Sequence, residues 1–186
     1  MRLFAAAEVP QERLESVQQA VAPLQEKLPG ARWTARSSWH VTVKFFGEVA
    51  DARVEDLVRD IARVARSAVP VDSRLLDVGA FPSLRRARVL WVGVDDPESR
   101  LDALARQLSR VSDQPAETRS LHPHLTLARF KVPSSVEEVV ERFRPFDFDQ
   151  SGFRIDRLRL FRSHLSAGGA RYEVLETFEF SPGLSL

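Results

Sequence analysis

Apolar residues form two kinds of pattern along this chain, short continuous runs and positions repeated at helical spacing. Short apolar runs at residues 2–9 and 89–94 are each followed by a proline and then by an Arg-Leu pair. A proline with acidic neighbours in a first turn is a helix-start signal. Beyond each pair, apolar residues recur at the spacing of a helix with one buried face; they are Leu14, Val17 and Val21, and then Leu101, Leu104 and Leu108. The pattern predicts a strand followed by a helix, twice.

The likeness between the two halves continues further along the chain. The run from Arg2 aligns without gaps on the run from Val89, and helical segments begin near Val54 and Val136. Strand candidates follow both helices, at residues 71–81 and 87–94 in the first case and at 153–161 and 170–178 in the second. Each half therefore reads as β-α-β-β-α-β.

Alternating strand and helix patterns of this kind predict an α+β fold. We expect a bilobal molecule whose duplicated halves are related by a pseudo-twofold axis, with two antiparallel-rich sheets flanking a central cleft. The length allows a single domain over residues 1–186, with lobes of approximately 1–86 and 87–186.

Each half also contains a histidine, any residue and a threonine within an apolar, strand-like run. His40 and Thr42 lie in SSWHVTVKFFGEV, and His124 and Thr126 lie in SLHPHLTLARF. Because successive side chains of a strand point to opposite faces, each run presents its histidine and threonine together. Random placement of the residues predicts only about 0.1 such pairs in the chain. One copy is more often a structural pair, whereas two copies in matched apolar frames indicate a shared site.

Composition narrows the chemistry. The chain has no cysteine, which excludes disulfides, thiolate metal sites and a thiol nucleophile, and its formal net charge of +1 argues against coating nucleic acid by charge alone. No apolar run reaches the roughly 20 residues that cross a bilayer, so we expect a cytoplasmic protein without a membrane partner. Neither His-x-Thr motif, at residues 40–42 and 124–126, contains Asp or Glu, so no metal site is predicted.

The two motifs resemble the paired signatures of the two-histidine (2H) phosphoesterase superfamily, and within it the RNA 2′,3′-cyclic phosphodiesterases that are also described as 2′-5′ RNA ligases. The likeness rests on WHVTVKFFGEV and PHLTLARF and extends to the opening RLFAAAEVP and the late segment LRLFRSHLSAGGARYEVL. One departure is Val43, where the family often has leucine. The resemblance implies hydrolysis of a terminal 2′,3′-cyclic phosphate to a 2′-phosphate without metal or cofactor. Reversal of the same chemistry gives 2′-5′ ligation.

Opening a cyclic phosphate by in-line displacement needs a base on one side of phosphorus and an acid on the other. Histidine serves as either at neutral pH. We assign His40 as the acid and His124 as the base, although the sequence does not separate the two roles. Thr42 and Thr126 are expected to donate hydrogen bonds to the non-bridging phosphate oxygens.

Two cations are further candidates for phosphate binding. Lys44 and Phe46 continue the face of His40 by alternation, so Lys44 is either near the phosphate or an exposed lysine at the strand end. The resemblance assigns Arg129 to the phosphate environment. Strict alternation points Arg129 away from this face, so the assignment requires a bulge or a long reach.

Other residues and functions stay open. Phe45 and Trp33 either stack on a base or pack in the core, and His122 and His164 are interpreted as surface or core histidines. The expected partner is RNA with a 2′,3′-cyclic phosphate end, or a nucleotide 2′,3′-cyclic phosphate, bound by a monomer. The alternatives are a phosphodiesterase for small cyclic or 2′-5′-linked nucleotides and a non-catalytic module that binds RNA ends.

Overall fold

The computed structural model describes residues 1–115, 119–148, 151–166 and 169–181. Within these ranges the chain forms ten strands and four α-helices. The strands are β1 (Arg2–Ala7), β2 (Arg32–Trp33), β3 (Val41–Glu48), β4 (Val71–Ser73), β5 (Leu75–Phe81), β6 (Ala87–Val94), β7 (His124–Ser134), β8 (Phe153–Ile155), β9 (Arg157–Ser166) and β10 (Gly169–Glu179). The helices are α1 (Gln11–Lys27), α2 (Asp51–Ser67), α3 (Arg100–Arg110) and α4 (Glu137–Arg142).

Eight strands form one antiparallel sheet in the order β10-β9-β1-β3-β7-β6-β5, and β2 also pairs with β7. Its centre is narrow, because β3 and β7 share a single residue pair, Val41 with Leu125, which we call the junction pair. We call β10-β9-β1-β3 the first half-sheet and β2-β7-β6-β5 the second. The predicted α+β class with antiparallel sheets is confirmed. Main-chain pairing continues across the junction pair, so the two half-sheets belong to one sheet. β4 and β8 form a separate two-stranded sheet.

Each half-sheet combines strands from both predicted lobes. The first half-sheet combines β1 and β3 with the C-terminal hairpin β9-β10, and β5 pairs with β6 in the second. The predicted lobe boundary between residues 86 and 87 therefore does not coincide with a division of the sheet. The duplication of the halves stays a prediction.

The two faces of the sheet have different roles. On β1, Leu3 and Ala5 are buried in the main core, whereas Phe4 and Ala6 belong to a separate small cluster with Phe161. The helices contribute to the main core, and the predicted helical faces are confirmed: all six apolar positions that defined them are buried, namely Leu14, Val17, Val21, Leu101, Leu104 and Leu108. The small cluster marks the opposite face of the sheet, which carries the two histidine motifs.

A buried carboxylate on α3 fixes the segment that leads into β7. Asp102 accepts a hydrogen bond from the backbone N–H of Leu121 at 2.7 Å through Oδ1, and its Oδ2 accepts two from Arg106. The backbone N–H of Val94 donates to the carbonyl of Pro123. The main chain just before His124 is thus attached both to the helix layer and to β6.

We predict that Asp102→Ala lowers the free energy of unfolding by about 1–3 kcal/mol, because the partly buried N–H of Leu121 loses its partner. Chemical denaturation measures the effect. The control is Asp56→Ala on α2, whose carboxylate is exposed and pairs with Arg53 and Arg59; it should cost less than about 1 kcal/mol. Equal costs for the two variants would contradict this account of Asp102.

Candidate active site

The two histidines lie where the half-sheets meet. His40 immediately precedes β3, and His124 is the first residue of β7. The junction pair is antiparallel, so His40 lies across from Thr126 and Thr42 lies across from His124, with diagonal neighbours about 7–8 Å apart. Both residues of the junction pair are fully buried on the core side. The sheet therefore brings all four predicted side chains to one small area.

A β-bulge follows each motif at the same place. Val43 is an extra residue of β3 in its pairing with β1, and Leu127 is an extra residue of β7 in its pairing with β6. The two bulges are 84 residues apart, as are the two histidines. A bulge interrupts the alternation of side chains. The residues three places beyond the threonines, Phe45 and Arg129, therefore return to the histidine face.

The bulge in β3 corrects two expectations about this strand. Lys44 pairs with the core residue Ala5 and is only 4% exposed, and Phe46 is part of the main core. Neither continues the face of His40, and Lys44 is not an exposed lysine at a strand end either. Phe45 takes that place instead: it is 51% exposed and its ring lies 5.6 Å from that of Phe4.

The bulge in β7 brings Arg129 back to the histidine face, as its assignment to the phosphate environment requires. Arg129 is exposed, and its positive charge lowers the pKa of His40 and of His124. A single cation therefore acts on both imidazoles. The positive charge of His124, when present, also lowers the pKa of His40. The three groups share one electrostatic environment.

Aromatic rings from distant strands surround His40. Its ring centroid lies 4.9 Å from that of Phe4, 5.6 Å from that of Phe161 and 5.1 Å from that of Tyr172. Burial among these rings is the largest cause that lowers the pKa of His40, to about 4, against a hydrogen bond to the backbone of Ser38 that raises it. His40 is therefore a neutral imidazole at pH 7.

His124 has a matching environment. Its Nδ1 lies 2.7 Å from the carbonyl oxygen of His122, and its ring lies 5.1 Å from that of Phe81 and 6.1 Å from that of Trp91. Burial is again the first cause that lowers its pKa. Because a carbonyl only accepts, Nδ1 carries the proton and Nε2 of the neutral ring has a free lone pair. Each histidine is thus oriented by the backbone two residues earlier in the chain.

These aromatic neighbours were not predicted from the sequence, although two signals were present. Phe81 and Phe161 end the two runs that the repeat matches with each other. Gly79 pairs with Trp91, and a Cβ at Gly79 would come within 2.2 Å of the indole ring. Glycine at that position leaves the space in which the indole lies.

The remaining candidates are less central. Trp33 is partly buried against the main core, which favours the packing interpretation. His164 lies within hydrogen-bond distance of Glu173, with 2.7 Å between Nε2 and Oε2. The ring of His122 lies 4.7 Å from Trp91 and 6.4 Å from His124, at the edge of the site.

Two kinds of feature are absent from the described residues. They contain no group of three or more His, Cys, Asp or Glu side chains arranged to bind a metal ion. None of the helices in this part of the chain combines the length and apolar character needed to span a membrane.

Comparison with known proteins agrees with this geometry. A sequence model of the 2′-5′ RNA ligase superfamily matches residues 9–167, and the chain belongs to this superfamily. An RNA 2′,3′-cyclic phosphodiesterase of Methanothermobacter thermautotrophicus is 30% identical over 175 residues, covering 88% of this chain and 92% of the relative.

Solved structures share the fold over nearly the whole chain. The protein TT0787 of Thermus thermophilus has a TM-score of 0.78 at 28% identity, covering 98% of this chain and 100% of that one. Escherichia coli LigT complexed with 3′-AMP has a TM-score of 0.76 at 26% identity, covering 96% and 97%.

The lowered pKa of His40 predicts how stability depends on pH. The unfolded chain binds a proton at His40 more readily than the folded protein does, so the free energy of unfolding falls as the pH drops from about 6.5 towards 4. His40→Phe keeps an aromatic ring beside Phe4 and removes this titrating group. The free energy of unfolding of the variant should therefore fall less on acidification than that of the wild-type protein. Denaturation at pH 7 and pH 4.5 measures the difference. An NMR titration that gives a pKa near 6.5 for His40 in the folded protein would contradict the prediction.

Proposed function

We propose that the protein is an RNA 2′,3′-cyclic phosphodiesterase that hydrolyses a terminal 2′,3′-cyclic phosphate to a 2′-phosphate. The observation that carries this proposal is the meeting of His40 and His124 at the junction pair, with Arg129 acting on both imidazoles. The named activity of the relatives supports it. Two imidazoles on facing strands and one adjacent cation suit a reaction that moves two protons about an anionic phosphorus centre.

In the proposed reaction a water oxygen attacks phosphorus while Nε2 of His124 accepts the water proton. The bond from phosphorus to the 3′ oxygen breaks, and His40 donates its proton to that oxygen. The hydroxyls of Thr42 and Thr126 donate to the non-bridging oxygens, where charge accumulates, and Arg129 offsets the same charge. The product is a 2′-phosphomonoester with a free 3′-hydroxyl.

Substrate binding favours protonation of His40. In the free protein the pKa of His40 is about 4, chiefly because of burial and to a smaller extent because of the positive charges of His124 and Arg129. A bound phosphate anion offsets these positive charges and favours the imidazolium form, so it raises the pKa of His40. Substrate binding therefore prepares the acid.

The same site also accounts for ligation. If the 5′-hydroxyl of a second RNA replaces water, its oxygen attacks phosphorus, His124 accepts its proton and the 3′ oxygen again leaves. A 2′-5′ linkage results. Hydrolysis and ligation differ only in the nucleophile, which agrees with the name of the superfamily.

Phe45 extends the site towards the nucleoside. Its ring is half exposed on the histidine face and packs beside Phe4. A half-exposed ring on the face of the two histidines suits stacking on a base without selecting its identity. Of the two interpretations of Phe45, we therefore favour contact with the substrate.

We predict that His40→Ala and His124→Ala each lower kcat/KM for RNA ending in a 2′,3′-cyclic phosphate by about 10²–10⁴-fold, because each removes one proton transfer. Chromatography of the digest measures turnover and identifies the phosphate position of the product.

The matched control for this experiment is His164→Ala, a partly exposed histidine paired with Glu173, which should retain normal turnover. Circular dichroism checks that each variant is folded. Near-normal activity of either motif variant would refute the acid-base pairing. Loss of wild-type activity on treatment with EDTA would point to a metal instead, and RNA-end binding without turnover at any pH would select a binding module.

The pH dependence of kcat/KM should be bell-shaped with its maximum below pH 6.5. This quantity reports the free protein, in which burial and positive neighbours lower the pKa of both histidines from 6.5. Activity is lost at low pH as both rings become protonated and at high pH as neither is. The profile of kcat should lie at higher pH, because bound phosphate raises both pKa values. Coincident profiles centred above pH 7.5 would contradict this assignment.

A further inference from the structure

Two arginines lie side by side on the second half-sheet. Arg32 of β2 pairs directly with Arg129 of β7, and the adjacent pair, Trp33 with Ala128, points to the core side. Both arginines are exposed on the histidine face. Directly opposed residues of an antiparallel pair have Cβ atoms about 4.5–5.5 Å apart, so the two guanidinium groups can contact the same region of solvent or ligand.

No carboxylate neutralises this pair in the described part of the chain. Neither arginine forms an ion pair there, although arginines elsewhere on the surface commonly do, such as Arg85 with Glu137 and Arg144 with Asp77. Like charges opposite each other destabilise a strand pair. Two unneutralised guanidinium groups in this register are favourable when an anion lies between or along them.

The arginine pair defines a direction away from the histidines. Along β7 the histidine face presents His124, then Thr126, then Arg129, and Arg32 is one strand further out. The other end of the motif leads to a groove of about 650 Å³ beyond His122. Carboxylates line that groove, and its two arginines are already paired with aspartates; the charged lining residues are Asp77, Asp96, Asp102, Arg106 and Arg144. A phosphate chain is therefore favoured only on the Arg32 side.

We propose that Arg32 binds the phosphodiester immediately 5′ to the terminal nucleotide of the RNA. This inference rests on the proposed function. Arg129 acts on the reacting phosphate, and Arg32 acts on the next phosphate of the same strand. The protein should consequently prefer oligonucleotides over mononucleotides with the same cyclic end, since a nucleoside 2′,3′-cyclic phosphate has no second phosphate to bind.

Kinetics with two substrates test this role. For Arg32→Gln, the ratio of kcat/KM on a trinucleotide with a 2′,3′-cyclic phosphate end to kcat/KM on cytidine 2′,3′-cyclic phosphate should fall about tenfold, since one charge-assisted contact is lost. Arg32→Lys should recover part of the ratio, and Arg32→Glu should lower it further. The control, Arg66→Gln, removes an exposed arginine from the end of α2 and should leave the ratio unchanged.

Salt dependence gives a second readout. The dissociation constant of a trinucleotide that ends in a 2′-phosphate should rise with salt, and the logarithmic slope should be smaller by about 0.7 in Arg32→Gln, the value for one contact to a single strand. An unchanged substrate ratio together with an unchanged slope would overturn the role of Arg32. Absence of turnover on both substrates by the wild-type protein would instead overturn the proposed function itself.

Discussion

The structure depends on one backbone pairing. Val41 and Leu125 are the only residues through which β3 and β7 pair in the described part of the chain, and each is flanked by a histidine on one side and a threonine on the other. Both side chains of the pair are fully buried, so hydrophobic burial beneath the sheet fixes which side chains lie above it. A slip of one residue in either strand would bury an imidazole and expose an aliphatic side chain. The core therefore specifies the site.

The bulges are the second constraint, and they decide what accompanies the histidines. Val43 and Leu127 are extra residues at equivalent places in their strands, so Phe45 and Arg129 return to the same face. Register also refines the repeat. Ala6 pairs with Thr42 and Trp91 pairs with Thr126, so a repeat defined by strand pairing would match position 6 with position 91. The gap-free alignment of the sequence instead matches Phe4 with Trp91, two residues out of register.

Features of the fold and site that depend on residues close together in the chain were predictable from the sequence, and features that depend on distant residues were not. Local periodicity sufficed to predict two kinds of feature. The helical period predicted the buried faces of α1 and α3, and strand alternation predicted that each histidine shares a face with its threonine. The bulges depend on pairing with a neighbouring strand, so alternation alone misassigned Phe46 and Lys44 and left Arg129 undecided. Two of the three rings around His40 come from residues more than 100 positions away, Phe161 and Tyr172. No local pattern carries that information.

The two motifs share a histidine and a threonine and differ in the residue that follows the bulge. Phe45 and Arg129 occupy equivalent positions beyond the bulges, one aromatic and one cationic, so the two sides of an otherwise similar site favour different parts of a nucleotide. The cation and the burial of both rings disfavour imidazolium in the free protein, and an anionic phosphate reverses the first of these effects. In the proposed reaction, substrate binding therefore moves the site towards the protonation state that acid-base chemistry needs. Under the proposed function, we expect the asymmetry between Phe45 and Arg129 to set the direction in which the RNA lies across the site.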